Sequence, residues 1–266
     1  MNESDLRKLI DQVKSGRMSR RRFIEMMVGA GLTVPMAGQM LTHSGVVNAQ
    51  QGWSYKPAKR GGGGLLKLLM WQGPTLLNPH FASGAKDRYG SRVFYEPLAA
   101  WDSEGNLVPI LAAEIPSVQN GAVAADGKSV LWKLKRNVQW HDGKPFTADD
   151  VVFNWEYAAD PAAAAVTIGS YSDMRAEKID SHTVRVVFDK PTPFWADPFV
   201  GTVGMIIPKH LFEAFKGAKS REAPANLKPV GTGCYMFSDF RPGDLVAGKI
   251  NPNYHEANRQ IGRAHV

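Results

Sequence analysis

The sequence predicts a mixed α/β fold of the α+β type, and three patterns carry this prediction. Residues 130–134 and 184–188 alternate apolar and polar side chains with period two, which is typical of half-buried strands. The segment after Thr147 places apolar residues at helical spacing. Residues 235–240 and 245–250 flank a Pro-Gly-Asp turn, as the strands of a β-hairpin do. Because strands and helices do not alternate strictly, the pattern favours a mixed sheet over a regular parallel one.

Local signals place the individual elements in chain order. Residues 65–71 form a short apolar run after four glycines, which predicts a buried strand. Thr147 suits the N-cap of a helix whose first turn contains Asp149 and Asp150, and Pro161 lies just past its end. The other predicted elements are a helix that begins at Ser91, strands at 130–134, 184–188 and 205–207, a helix from Pro208 through Phe215, and the hairpin at 235–240 and 245–250.

Residues 1–49 have the organisation of an export signal. Arg20 and Arg21 precede a short apolar stretch, and small residues at Val47 and Ala49 predict cleavage before Gln50. The paired arginines are typical of a twin-arginine signal. The stretch is too short and too rich in glycine to anchor the chain in a bilayer. The alternative, an amphipathic helix of a cytosolic protein, would not account for the Val-x-Ala pattern.

The signal contains no cysteine that a lipid could modify, so we expect a periplasmic protein without a lipid anchor. Residues 50–64 are rich in glycine and are predicted to be a flexible leader. We expect residues 65–260 to form one folded lobe. Residues 261–266 lack a helix or strand pattern, and their back-translation resembles a sequencing adapter, so we expect a non-native tail.

Charge and composition exclude several classes of protein. The net charge is +7, of which residues 1–49 contribute +3, and the remaining bases are scattered. No basic stripe is interleaved with aromatic residues, so we expect no nucleic-acid partner. Hydrophobic residues make up 44% of the chain, which is typical of a globular protein. The single cysteine excludes an internal disulfide.

Motifs that would carry chemistry are weak. Gly127-Lys128-Ser129 has the wrong spacing for a phosphate-binding loop and precedes a strand, so a turn explains it better. Asp149 and Asp150 fit a helix start better than a metal site, and His141-Asp142-Gly143 fits a turn. Cys234 is interpreted as a buried, inert thiol rather than a nucleophile. The sequence therefore predicts no catalytic residues, no metal ligands, no cofactor and no enzymatic activity.

The longest distinctive run, from Leu131 to Phe153, contains the sequence HDGKPFTADDVV. It resembles the strand, turn and helix start of the oligopeptide-, dipeptide- and nickel-binding family of ABC transporter receptors, bacterial extracellular solute-binding protein family 5. Further motifs follow in the order of that family, and together they extend the resemblance from about Leu65 to His255. They are Leu77-Asn78-Pro79, Tyr95-Glu96-Pro97-Leu98, Gly105-Asn106-Leu107-Val108-Pro109, Ile207-Pro208-Lys209-His210, Pro229-Val230-Gly231-Thr232-Gly233 and Asn251-Pro252-Asn253-Tyr254. Cys234 departs from the family pattern, in which Pro or Ala usually follows Gly-Thr-Gly.

The resemblance implies lobe one of a bilobed periplasmic binding protein that closes on its ligand, with the second lobe largely missing. It also implies a short peptide or a related small solute as ligand, a membrane permease with its ATPase as partner, and a monomer. Position near predicted element ends makes Trp71, Gln72, Asn78 and Tyr95 the candidate ligand contacts. Two alternatives remain open at this point: an exported hydrolase on an unrelated α/β scaffold, and a sensory solute-binding protein with the same fold.

Overall fold

A computed structural model describes residues 3–44 and 64–256. The predicted cleavage site at Ala49, nearly all of the leader at 50–64 and the tail at 261–266 lie outside these residues. Within the described part, the helices are α1 (Glu3–Lys14), α2 (Arg20–Gly29), α3 (Val34–His43), α4 (Ala85–Arg92), α5 (Ala148–Ala159) and α6 (Lys209–Phe212). The strands are β1 (Ala99–Trp101), β2 (Leu107–Pro109), β3 (Ser129–Lys133), β4 (Met174–Asp180), β5 (Thr183–Phe188), β6 (Tyr235–Arg241) and β7 (Leu245–Ile250).

The strands form three antiparallel sheets, which confirms the mixed α+β class. β1 pairs with β2, β6 pairs with β7, and β5 lies between β3 and β4. In the central sheet, Leu131 is opposite Arg185, and Ala176 is opposite Val186. The alternation in β5 buries Val184 and Val186 on one face while Arg185 remains exposed. The period-two prediction is therefore confirmed for both β3 and β5.

Helix α5 covers the buried face of the β3–β5–β4 sheet. Its buried positions Val151, Asn154, Tyr157 and Ala158 recur at helical spacing, and the helix packs on β4 and β5. Thr147 caps the helix as predicted. Its side-chain oxygen accepts a hydrogen bond from the Asp149 amide at 3.3 Å, and the Asp150 carboxylate accepts one from the Thr147 amide at 3.0 Å. Thr147 and Asp150 together form a capping box.

Three element predictions are wrong. Residues 65–71 form no strand, and their side chains are largely exposed, with Leu69 fully so. No helix begins at Ser91. Instead, α4 runs from Ala85 to Arg92, and β1 begins at Ala99. Residues 205–207 make only an isolated bridge between Met205 and Pro97. A strand needs a continuous row of backbone partners. Among the described residues, 65–71 belong to no sheet, and 205–207 have only the Met205–Pro97 bridge and a hydrogen bond of 3.0 Å from the Ile206 amide to the Glu96 carbonyl.

A single apolar core unites residues 77–246. Trp132 and Trp140 are fully buried in it, and Trp132 packs against Trp195 with ring centroids 5.8 Å apart. A second, smaller core lies among α1, α2 and α3. No helix in the described ranges has the length and apolar character that crossing a membrane requires.

Candidate functional site

Trp71 and Gln72 lie on an exposed segment that ends beside the β6–β7 turn. Trp71 is 78% exposed. The Gly243 amide donates a hydrogen bond of 2.7 Å to the Pro74 carbonyl, which fixes the end of the segment. A side chain at Gly73 would lie 2.4 Å from the Gly243 carbonyl carbon, so only glycine permits this approach. The turn therefore presents Trp71 and Gln72 to solvent, where a solute could reach them.

Asn78 is buried, and both the oxygen and the nitrogen of its side-chain amide form hydrogen bonds within the protein. Its side-chain oxygen accepts a hydrogen bond from the His80 amide at 2.9 Å and caps a short 3-10 helix at Pro79–Phe81. Its side-chain nitrogen donates to the Asn226 side chain at 2.7 Å. The same loop is held by the Leu77 amide, which donates to the Asn226 carbonyl. A ligand role for Asn78 stays a prediction, and in this structure the side chain joins two loops of the core.

Tyr95 is fully buried as well, and it precedes a buried carboxylate that sequence reasoning missed. Glu96 accepts hydrogen bonds from the hydroxyls of Thr232 and Tyr254 and from the imidazole of His255. The donor–acceptor distances are 3.0, 2.7 and 2.9 Å respectively. Burial acts to raise the pKa of Glu96, but the bonds from His255 and Tyr254 hold it below its ordinary value.

The Glu96 cluster, defined as Glu96, Thr232, Tyr254 and His255, therefore ties three distant segments together. It joins the Tyr-Glu-Pro-Leu motif to the Gly-Thr-Gly loop and to the Asn-Pro-Asn-Tyr-His segment. The signal that could have found it is the presence of a carboxylate in one motif and of hydroxyl and imidazole donors in the others. Sequence alone does not show that these motifs meet. A ligand role for Tyr95 stays a prediction beside this scaffold.

His141 locks the His-Asp-Gly turn onto the Gly-Thr-Gly loop. Its Nδ1 accepts from the Gly231 amide at 3.0 Å, and its Nε2 therefore carries the proton that is donated to the Gly233 carbonyl at 2.9 Å. Burial lowers the pKa of His141, which suits this neutral tautomer. This geometry is consistent with the interpretation of His141-Asp142-Gly143 as a turn, because both ring nitrogens of His141 are hydrogen-bonded to backbone groups.

The remaining candidate groups are used structurally. Asp142 contacts His210 at 2.6 Å, and Asp150 caps α5. Burial raises the pKa of the Cys234 thiol to about 11, which disfavours the nucleophilic thiolate at neutral pH. Among residues 3–44 and 64–256, no group of three or more histidine, cysteine or acidic side chains is arranged to hold a metal ion.

A cavity of about 550 Å³ lies at the ends of β4 and β5. It is lined by apolar residues such as Met174, Phe188 and Phe194 and by acidic residues such as Asp173. None of the four predicted ligand residues lines it. The cavity is large enough for a small molecule, but it does not coincide with the Trp71 and Gln72 face.

The chain matches known binding proteins in sequence. Residues 106–266 match the model of the bacterial extracellular solute-binding proteins, family 5. The chain is 28% identical over 204 residues to the periplasmic oligopeptide-binding protein OppA of Salmonella typhimurium, which covers 70% of this chain and 35% of OppA. It is also 28% identical to the di/tripeptide-binding protein 2 of Pseudomonas aeruginosa, over 68% of this chain and 36% of that protein. The chain thus spans about a third of the length of these curated relatives.

Solved structures show the same similarity. The oligopeptide-binding protein AppA of Bacillus subtilis, in complex with a nonapeptide, aligns with a TM-score of 0.68 and 25% identity, over 78% of this chain and 40% of AppA. NikZ of Campylobacter jejuni, in complex with Ni(L-His), aligns with a TM-score of 0.60 and 26% identity, over 76% of this chain and 38% of NikZ. Because the family model covers more than half of the residues, the chain belongs to the bacterial extracellular solute-binding proteins of family 5.

Proposed function

We propose that this chain is part of the substrate-binding component of an ABC importer, which captures short peptides in the periplasm and delivers them to a membrane permease and its ATPase. The observation that carries the proposal is the alignment of this lobe with peptide-binding relatives, among them a nonapeptide complex. The exposed Trp71 and Gln72 supply the aromatic surface and the amide that such a ligand would meet. The protein acts as a monomer in this proposal, and its ligand favours a closed form of the complete receptor.

Export through the twin-arginine route is part of the same proposal. Ser19 caps α2, and its side-chain oxygen accepts from the Arg22 amide at 3.2 Å. Arg21 is 85% exposed in its side chain and pairs with Glu25 across one turn. An accessible arginine at the start of a capped helix supports recognition of the signal before cleavage. Substitution of Arg20 and Arg21 by Lys should therefore block appearance of the protein in the periplasm.

The experiment that tests the ligand proposal is a thermal-shift screen of the protein expressed from its gene against di-, tri- and oligopeptide pools. A binding peptide should raise the melting temperature by mass action. A nickel–histidine chelate and opines form a second panel, because structural neighbours were solved with such ligands. A shift with the second panel alone would replace peptide by another small solute.

The Trp71→Ala variant tests whether the exposed face contacts the ligand. We expect peptide affinity to fall by about tenfold, since a buried aromatic contact contributes on the order of 1.4 kcal/mol to binding. The unliganded melting temperature should stay unchanged because the side chain is 78% exposed. Ile179→Ala, which removes a 48% exposed apolar side chain from β4, is the matched control and should bind normally. Equal peptide affinity in the two variants would show that Trp71 does not contact the ligand.

A further inference from the structure

The described part of the predicted export signal, residues 3–44, is folded into a small helical cluster of its own. Helices α1, α2 and α3 share a core whose central members are nearly or fully inaccessible to solvent. The buried residues of this cluster are Ile10, Val13, Phe23, Ile24, Met27, Ala37 and Leu41. Some of the apolar residues after the arginine pair are thus turned inward, with Phe23 at 0% and Met27 at 1% exposure, whereas Met26 and Val28 are each 42% exposed. The leader cluster, as we name these three helices, buries one face of the apolar part of the export signal.

The leader cluster contacts the lobe at the turn between β1 and β2. A Cβ atom at Gly38 of α3 would lie 3.0 Å from the Gly105 carbonyl oxygen and 3.2 Å from the Trp101 ring. A Cβ atom at Gly105 would lie 2.6 Å from the Ile24 Cδ1 atom of α2. Glycine on both sides allows two helices of the cluster to approach the turn this closely. A side chain at Gly38 would press on the Gly105 backbone and the Trp101 ring, whereas one at Gly105 would displace the flexible end of Ile24.

The turn that receives the cluster is tied to a distant part of the lobe through β1, because Ala99 bridges to Val200 and the Gly201 amide donates to the Ala99 carbonyl at 2.9 Å. The Asp102 carboxylate accepts hydrogen bonds from the Glu104 amide at 2.9 Å and from the Asn106 amide at 2.7 Å. Gly105 has a φ of +79°, which glycine adopts without strain. Trp101 pairs with Leu107 across the sheet. The surface formed by Trp101 and Gly105 therefore depends both on pairing of β1 with β2 and on the contact of β1 with residues 200–201.

The arginine side of α2 remains in solvent while its apolar side is covered. Arg21 is 85% exposed and Glu25 is 63% exposed, whereas Phe23 and Ile24 of the same helix are buried. The contact with the lobe thus fixes α2 without occluding Arg21. This geometry separates two tasks on one helix, docking through Ile24 and display of Arg21.

We propose that the leader cluster docks on the folded β1–β2 turn, so that the precursor displays its arginine signal in a fixed position only after the lobe has folded. The proposal rests on the export function proposed for residues 1–49. The contact makes the fixed position of Arg21 depend on the lobe, because the surface that α2 and α3 meet is held in place by the contacts of β1 with β2 and with residues 200–201. The partner that fits the displayed face is a receptor with acidic groups able to bind Arg21.

Hydrogen exchange of the full chain, followed by mass spectrometry, tests the docking. Gly38→Val introduces a side chain against Gly105 and Trp101, whereas Gly29→Val in α2 meets no atom within 4 Å of its Cβ and is the matched control. We expect amides of 34–43 and 101–106 to exchange about tenfold faster in Gly38→Val and at the parent rate in Gly29→Val. Equal exchange in the two variants, or unprotected amides at 34–43 in the parent, would overturn the proposal.

A second variant guards against a helix that simply fails to form. Ile24→Ala removes the leader's contact with Gly105, and circular dichroism of the unfolding transition checks that the lobe is intact. Faster exchange at 101–106 in Ile24→Ala supports docking, and parent-like exchange there contradicts it.

Export is measured separately so that two failures can be told apart. The periplasmic fraction of Gly38→Val should fall by about tenfold relative to Gly29→Val if docking couples folding to signal display. Equal export of the two variants would overturn the coupling. Normal export of an Arg20→Lys, Arg21→Lys variant would instead contradict the proposed twin-arginine function. The hydrogen-exchange data would still decide whether the leader cluster docks on the lobe.

Discussion

His80 shows how a single buried side chain sets the response of the lobe to acid. Its Nε2 lies 2.8 Å from the Asn154 side-chain oxygen and its Nδ1 lies 2.8 Å from the Thr167 hydroxyl. Burial lowers the pKa of His80 to about 4, from an unfolded value of 6.5, although the bond to Asn154 opposes the shift. The native state thus binds fewer protons than the unfolded chain between these two pKa values. Its contribution to stability is full above pH 6.5 and is lost as pH falls toward 4.

The first prediction is that the protein loses about 2 kcal/mol of unfolding free energy between pH 7 and pH 5 through His80 alone. Urea unfolding at the two pH values measures the loss. His80→Gln removes the titrating group, so its loss over the same range should be smaller by that amount. Other titrating groups, including His141, are common to both proteins and cancel in the comparison. Equal losses in the two proteins would contradict the assignment.

At this scale the sequence identified residue types but not their surroundings. The turn around His141 was predicted, yet its two backbone partners at Gly231 and Gly233 lie about ninety residues away. Glu96 attracted no prediction because its donors come from two other motifs. Burial and long-range pairing depend on the complete fold, so neighbouring residues in the chain do not reveal them.

At the scale of the element, the start of α5 is determined by a local sequence signal, its capping box. Thr147 and Asp150 satisfy amide groups that the first turn leaves without helical partners. The second prediction is that Thr147→Ala lowers the free energy of unfolding by about 1 kcal/mol. Thr147→Ser keeps the side-chain acceptor and should restore most of it. Chemical denaturation measures both, and equal losses in Ala and Ser would show that the cap does not stabilise the helix.

The close approach of the Gly-Thr-Gly loop to Phe94 gives the third prediction. A Cβ atom at Gly231 would lie 1.9 Å from the Phe94 carbonyl oxygen, so Gly231→Ala must displace backbone. We expect a loss of at least about 3 kcal/mol, at the upper end of what overpacking costs.

Gly169→Ala is the matched control for Gly231→Ala, because its Cβ would meet nothing within 4 Å. It should change the unfolding free energy by less than about 0.5 kcal/mol. A mild effect at Gly231, similar to that at Gly169, would show that the loop moves freely from Phe94.

Prediction of the other elements succeeded where sequence pattern and pairing agreed. β3, β5 and α5 each carry a regular apolar period, the β6–β7 hairpin is marked by the turn at 241–244, and the structure confirms all four. β4 was missed because its sequence, MRAEKID, is mostly polar, and its strand conformation depends on pairing with β5. Residues 65–71 gave the opposite error, since they are apolar but have no strand beside them in the described structure.

At the scale of the whole molecule, fold class and family were accessible from sequence because several motifs occur in a fixed order. The proposed ligand contacts were less accessible from sequence. Trp71 and Gln72 are exposed, whereas Asn78 and Tyr95 have core contacts. Position near an element end does not distinguish these two situations. The chain covers about a third of its curated relatives, so the remainder of such a protein would supply the other ligand contacts.

Equilibrium dialysis against a tripeptide pool, with mass spectrometry of both chambers, tests the central claim most directly. A solute-binding protein should concentrate a subset of peptides in the protein chamber and return them with unchanged mass. Trp71→Ala should reduce that enrichment. The account is contradicted if no peptide is enriched, or if the protein chamber yields shorter products, which would indicate a hydrolase instead.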